Sequence, residues 1–270
     1  LATSGPGATN LVTGIATAQM DSSPLVAITG QVANADLGTD AFQEVDITGI
    51  TMPIVKHNYL ITDVRDLAVA VKEAFYVARS GRPGAVLIDI PINAQVSECE
   101  FAYPEAVDLP GYRPHVYGNM RQIRHAAEMI AQAERPVIVA GRGVLVSGAV
   151  AELRQFAEKV HAPVVTTLLG KSALPESHPL CLGMGGMHGE GYTNLALQSA
   201  DLIVGIGTRF DDRLTSTAET FAPQAKIIHV DLDPAEIGKR VRVDLPIVGD
   251  AGNVLRSLLP LVEAATHEPW

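Results

Sequence analysis

Apolar residues in this chain follow two patterns: short unbroken blocks, and stripes in which one residue in three or four is apolar. The blocks predict buried strands and the stripes predict helices with one buried face. Behind the turn Thr3-Ser4-Gly5-Pro6-Gly7, residues Ala8, Leu11, Val12, Ile15 and Ala16 lie at helical spacing. Residues 24–29 then predict a buried strand, 52–55 a short strand, 63–79 an amphipathic helix closed by Gly81, and 85–90 an apolar strand ending at Pro91. That order is β-α-β.

From about Ser97 to Gly118 the periodicity disappears, and Pro104, Pro110 and Pro114 give the segment a linker's composition. Alternation then resumes, with helices over 120–133, 149–160, 193–199 and 253–262 and strands over 136–140, 164–168, 202–206, 226–230 and 246–248. Strands alternating with helices predict parallel sheets covered on both faces. The fold expected is therefore α/β, with two doubly wound parallel-sheet domains over 1–97 and 119–265 joined by a linker over 98–118.

Composition narrows the class. The 270 residues are 47% hydrophobic and 19% charged, with no apolar run long enough to span a bilayer, so a globular protein without a membrane segment is expected. A net charge of −10 with no basic stripe argues against nucleic acid as a partner. Cys99 and Cys181 have neither metal-ligand spacing nor the density of a disulfide scaffold, which fits a reducing compartment: the cytoplasm, or a plastid or mitochondrion in a eukaryote. The chain starts at Leu1 directly before a glycine motif, so we expect an internal part of a longer polypeptide.

The candidate chemistry sits where predicted strands end. The block at 201–204 empties into Gly205-Ile206-Gly207-Thr208-Arg209-Phe210-Asp211-Asp212-Arg213, whose glycines allow close approach of a phosphate and whose arginines supply bidentate donors. The same strand-end edge carries Gly141-Arg142-Gly143, Thr167-Leu168 and Asp231, and ligands of doubly wound sheets bind at such ends. Each glycine turn lacks the third glycine of the dinucleotide fingerprint, with Val146 and Phe210 in those places. Asp231 suits a ribose hydroxyl pair, and equally a cap for a helix starting at Pro234. The segment 183–189, containing His188, reads as backbone lying flat against a ligand. No zinc cluster, Walker loop or Ser-His-Asp set is present, and no metal ligand is assigned.

These motifs are accompanied by Thr3-Ser4-Gly5-Pro6-Gly7-Ala8-Thr9-Asn10, Gly38-Thr39-Asp40-Ala41-Phe42-Gln43-Glu44, Ser80-Gly81-Arg82-Pro83-Gly84 and Gly186-Met187-His188-Gly189. In that order they resemble the large catalytic subunit family of acetolactate synthase, thiamine-diphosphate enzymes that also bind FAD. The resemblance implies the later part of a pyrimidine-binding domain followed by a central Rossmann-like FAD domain, with the Mg²⁺- and diphosphate-binding domain lying outside the chain. It implies FAD contacts at Gly141, Gly143, Thr167, Leu168, Gly207, Arg209, Asp211, Asp231, Asp250 and Ala251, with His188 and Arg82 reaching the flavin or its phosphates. Phe42, Met187 and Arg213 would meet substrate, and Gln43 would serve at the reacting centre. The implied reaction joins two pyruvates, or pyruvate and 2-oxobutyrate, with loss of CO₂; thiamine diphosphate is the electron sink and the flavin is structural. A dimer or tetramer with a regulatory small subunit is implied for the whole enzyme, and no activity for this stretch alone.

One departure stands out. Ile90-Pro91-Ile92-Asn93 replaces the family's Leu-Pro-Lys-Asp, exchanging an ammonium for an apolar chain near the expected active centre. Glyoxylate carboligase and pyruvate oxidase relatives share the architecture, and a non-catalytic nucleotide-binding module is the alternative of another class.

Overall fold

All nine strands among the described residues pair in parallel. The structure, a computed structural model, describes residues 1–268 and falls into two units, Leu1–Pro114 and a second beginning at His115.

In the first unit β1 (Leu25–Gln31), β2 (His57–Leu60) and β3 (Ala85–Pro91) form a sheet of order β1-β3-β2. Successive residues of β3 point to opposite faces: Val86 and Ile88 pack with Ala70, Ala74 and Val77 of helix Leu67–Arg79, while Ala85 and Leu87 pack with Ala8, Ile15 and Ile47. Two faces covered by helices explain why β3 is apolar throughout.

In the second unit β4 (Pro136–Ala140), β5 (Val164–Thr166), β6 (Cys181–Met184), β7 (Leu202–Ile206), β8 (Lys226–Asp231) and β9 (Leu245–Val248) are ordered β6-β5-β4-β7-β8-β9. One face buries Ile138, Val204, Ile228 and Phe156 under helices Met120–Gln132, Val150–Val160 and Ala251–Leu258. The other buries Val137, Val139, Ile203 and Phe221 beside helix Gly191–Ser199. The parallel α/β architecture expected from the alternation is what forms.

Several details differ from expectation. Edge strand β6 forms where none was expected, and the strand expected at 164–168 stops at Thr166, before a 3₁₀ turn over Leu168–Gly170. The strand expected at 52–55 is a 3₁₀ turn, Met52–Ile54, because Pro53 fixes φ and has no N–H to give a ladder. The strand of that region is instead β2, a partly exposed edge strand whose His57 and Asn58 hide it from an apolar count. The helix expected at 63–79 starts with a 3₁₀ turn, Val64–Asp66, and becomes α-helical at Leu67. The stretch before His115 has no regular structure yet is anchored: Leu109 and Tyr112 pack on the first core, and the Tyr112 hydroxyl meets Lys56 Nζ at 3.0 Å.

Candidate cofactor crevice and substrate-facing loops

The chain runs β4 to β5 to β6 on one side of the second sheet and returns to β7 on the other, so β4 and β7 flank the point where strand order reverses. Ligands of open α/β sheets bind at this place because the loops leaving the two strands part in opposite directions. Here the two loops are stitched together: Gly141 N–H donates to the Ile206 carbonyl and Gly143 N–H to the Gly207 carbonyl, both at 3.0 Å. Gly207 N–H continues the ladder to Val230 at 2.8 Å. Gly207 has φ +58, and a Cβ there would lie 2.5 Å from Gly143 Cα. Backbone therefore forms the floor between the turns, with no room for a side chain.

Around this floor several candidate side chains also hold local structure. Thr167 accepts from Gly170 N–H at 3.1 Å and caps the turn Leu168–Gly170, leaving Leu168 exposed. Asp211 caps Asp212–Thr215 by accepting from Arg213 and Leu214 N–H, and lies 3.8 Å from the half-buried Arg209 guanidinium. Asp231 ends β8 and accepts from Asp233 N–H at 2.8 Å. No helix starts at Pro234, where the chain makes turns, so the helix-cap role for Asp231 does not apply. Asp250 caps helix Ala251–Leu258. It and Ala251 follow β9, at the same strand-end edge but two strands beyond β7.

A second cluster gathers Met187, His188 and Arg213. Asn194 clamps the Gly186 peptide, accepting from its N–H at 2.7 Å and donating to its carbonyl at 2.9 Å. Met187 N–H then donates to the Arg213 carbonyl at 2.7 Å, which brings the guanidinium Nη1 to 3.7 Å from the Met187 sulfur. Met187, His188 and Arg213 are all exposed, beside an open cavity of about 300 Å³ lined by Gly186, Asn194, Gln198, Thr215 and Phe221.

In the first unit Phe42 and Gln43 stand exposed on the loop that leaves the carboxyl end of β1, and Gln43 has φ 59. Arg82 precedes β3, at the opposite edge of that sheet, where its Nε donates to Ser22 Oγ at 2.9 Å. Ile92 is exposed just after β3. Among the described residues no group of His, Cys, Asp and Glu could hold a metal, and no helix is long and apolar enough to cross a membrane.

Residues 123–258 match the family described as thiamine pyrophosphate enzyme, central domain, and residues 1–50 match thiamine pyrophosphate enzyme, N-terminal TPP binding domain. The chain belongs to the thiamine pyrophosphate enzymes. It is 55% identical over 268 residues to the acetolactate synthase large subunit of Corynebacterium glutamicum, covering 99% of this chain and 43% of that protein. A probable acetolactate synthase large subunit of Methanocaldococcus jannaschii is 54% identical over 276 residues, covering 100% and 47%, and an acetolactate synthase of Arthrospira platensis is 51% identical over 264, covering 96% and 46%. The chain thus spans less than half the length of these relatives.

Two residues of this thiamine pyrophosphate enzyme that support the candidate loops carried no sequence signal. Asn194 looks like any polar position on a helix. His229 sits inside an apolar strand, 1% exposed, with Nε2 2.6 Å from the Thr208 carbonyl and its ring edge-on to Phe210. It thereby fixes the turn that starts at Gly207. Burial pushes the imidazole pKa down, partly offset by the Thr208 carbonyl and the Glu236 charge, so the folded protein holds His229 neutral. An unfolded histidine takes a proton as pH falls through about 6.5, where the folded one refuses it; stability is therefore lost as pH falls below that value. Urea midpoints at pH 7.5 and 5.5 check this: the acid-side loss should be smaller in His229→Gln than in the wild type.

Proposed function

We propose that this chain is part of an acetolactate synthase large subunit, which joins two pyruvates, or pyruvate and 2-oxobutyrate, with loss of CO₂ in branched-chain amino-acid biosynthesis. What carries the reading is identity above one half, sustained along the whole chain, to proteins of that name. In this reading 1–97 completes a pyrimidine-binding domain and 119–265 is an FAD domain. The complete enzyme works as a dimer or tetramer with a regulatory small subunit.

The crevice fits a dinucleotide. Its floor is backbone, as a phosphate needs for close approach, and Arg209 stands beside it as a cation on the same turn. Gly141, Gly143 and Gly207 would face the phosphates, Thr167, Leu168 and Asp211 the neighbouring groups, and Asp231, at the end of β8, the ribose. Asp250, Ala251 and His188 complete the contacts proposed for this unit. Thiamine diphosphate, held through Mg²⁺, supplies the electron sink when bound, and we assign no residue of this chain to the metal.

The chain's own side chains select and orient the acids. Arg213 presents a planar fork that matches a carboxylate through two parallel hydrogen bonds, and Met187 offers an apolar wall beside it. On the first unit Phe42 supplies apolar surface and Gln43 an amide for a carbonyl or hydroxyl oxygen. Ile92, exposed where the family has a lysine, removes one fixed positive charge from that neighbourhood, so Ile92→Lys should raise turnover in the complete enzyme.

The test is the visible spectrum of the chain purified with added FAD, with the released nucleotide identified by mass spectrometry. Stoichiometric FAD is the expected outcome, and acetolactate is the product expected from the full-length protein on pyruvate. NAD or ADP in place of FAD would overturn the cofactor assignment, and tartronate semialdehyde from glyoxylate would favour glyoxylate carboligase.

A further inference from the structure

The loop that carries Phe42 and Gln43 is closed on itself by one carboxylate. Glu44 takes Gly38 N–H on one oxygen and Ala41 N–H on the other, the latter at 3.0 Å, and its own N–H donates to the Ala41 carbonyl at 2.9 Å. Thr39 adds two bonds to the Asp36 carbonyl, from N at 3.2 Å and from Oγ1 at 2.7 Å. Within this ring Gly38, Asp40 and Gln43 have φ of 77, 58 and 59. Glutamine rarely adopts that left-handed backbone, and such conformations persist only where surroundings over-determine them.

The surroundings can be named. Phe42 is 89% exposed and contributes no packing that would hold the apex in place. From inside the loop the Glu44 carboxylate supplies two charge-assisted bonds, and the Gly38 N–H, the foremost cause, draws its pKa below the usual glutamate value. From beneath, Gly5 approaches so closely that a Cβ on it would stand 2.8 Å from the Gln43 carbonyl oxygen and 2.9 Å from Gln43 Cβ. Gly5 itself has φ +58, so no other residue fits the turn without strain.

We propose that Glu44 and Gly5 are positioning residues that brace the loop from two sides, holding Phe42 and Gln43 in the conformation presented to substrate. The role in turnover rests on the acetolactate synthase reading; the brace itself does not. Glu44 acts as an internal staple replacing the packing that an exposed loop lacks, and Gly5 is the gap into which the strained Gln43 backbone settles.

Hydrogen exchange and steady-state kinetics on the full-length protein test this together. In Glu44→Ala the Gly38 and Ala41 amides should exchange faster, by on the order of tenfold, while core amides keep their protection. With pyruvate, kcat should fall up to about a hundredfold, as misplacement of a substrate contact demands, and Glu44→Gln, which retains one acceptor oxygen, should recover part of both effects. Gly5→Ala should lower kcat while leaving the Gly38 and Ala41 amides protected. Unchanged exchange in Glu44→Ala overturns the brace. Faster exchange with unaltered kcat overturns the positioning role. A wild-type protein that makes no acetolactate sinks the reaction reading, and exchange alone then decides the brace.

Discussion

Gly141→Ala should destabilise the second unit by about 3 kcal/mol and, in the proposed reading of the crevice as an FAD site, abolish flavin binding. A Cβ at Gly141 would run into the Gly207 carbonyl oxygen and lie 2.7 Å from Thr208 Cα, and these are backbone atoms on the turn leaving β7, not the ends of flexible side chains. They cannot swing aside. Relief requires the turns after β4 and β7 to separate, which costs the bonds from Gly141 N–H to Ile206 and from Gly143 N–H to Gly207. Overpacking of a close-fitted interior typically costs about 1–3 kcal/mol, and the absence of any side chain able to yield puts this site at the upper end. Gly191→Ala is the control: it starts a helix with nothing within 4 Å of its would-be Cβ, so its effect should stay within about 1 kcal/mol. Urea unfolding of both variants with parallel FAD titrations checks the pair. A Gly141→Ala protein as stable as the Gly191→Ala one would show that the turns are not held in backbone contact.

The crevice was legible for a reason that does not extend to the rest of the molecule. Strands β4 and β7 are each five buried residues in a row, so an unbroken apolar block marks both, and the glycine turn follows at once in the sequence. Local order therefore marked the candidate crevice at these strand ends. Edge strand β2 gave no such mark, since half of its residues face water. The 3₁₀ turn at Met52–Ile54 was misread because a short apolar stretch suits a turn against a core as well as a strand. Residues that hold loops in shape were the least visible. Gly5 and Gln43 lie on opposite sides of β1 in the sequence and meet only in the fold, and Asn194 grips Gly186 only because helix Gly191–Ser199 turns back over the segment leaving β6. The capping duties of Thr167, Asp211 and Asp250 were equally hidden behind their candidacy as ligand contacts. A polar residue at a strand end can serve both purposes when it has more acceptor sites than the cap consumes, which a carboxylate does.

Arg213→Ala should separate function from stability more cleanly than any other change. Its side chain is 65% exposed and its nearest carboxylate oxygen, on Asp212, is 3.9 Å away, so the fold gains little from the guanidinium. The structural work at this position belongs to the main chain, whose carbonyl accepts from Met187 N–H, and that bond survives truncation. Unfolding free energy should therefore move by no more than about 0.5 kcal/mol. The guanidinium is exposed and held beside the Met187 sulfur, and in the proposed reading it binds a substrate carboxylate there. In that reading bound substrate desolvates the pair, and removing one partner of a desolvated pair costs about 2–5 kcal/mol, so kcat/KM of the full-length protein toward 2-oxo acids should fall by a factor of roughly thirty to several thousand. Arg213→Lys should recover only part of this, because a single ammonium cannot reproduce two parallel bonds to one carboxylate. Steady-state kinetics on the three proteins, with urea midpoints as the control, decide the matter. Equal kcat/KM in Arg213→Ala and wild type would remove the carboxylate contact from this arginine, while a matching loss of stability would make it a structural residue instead.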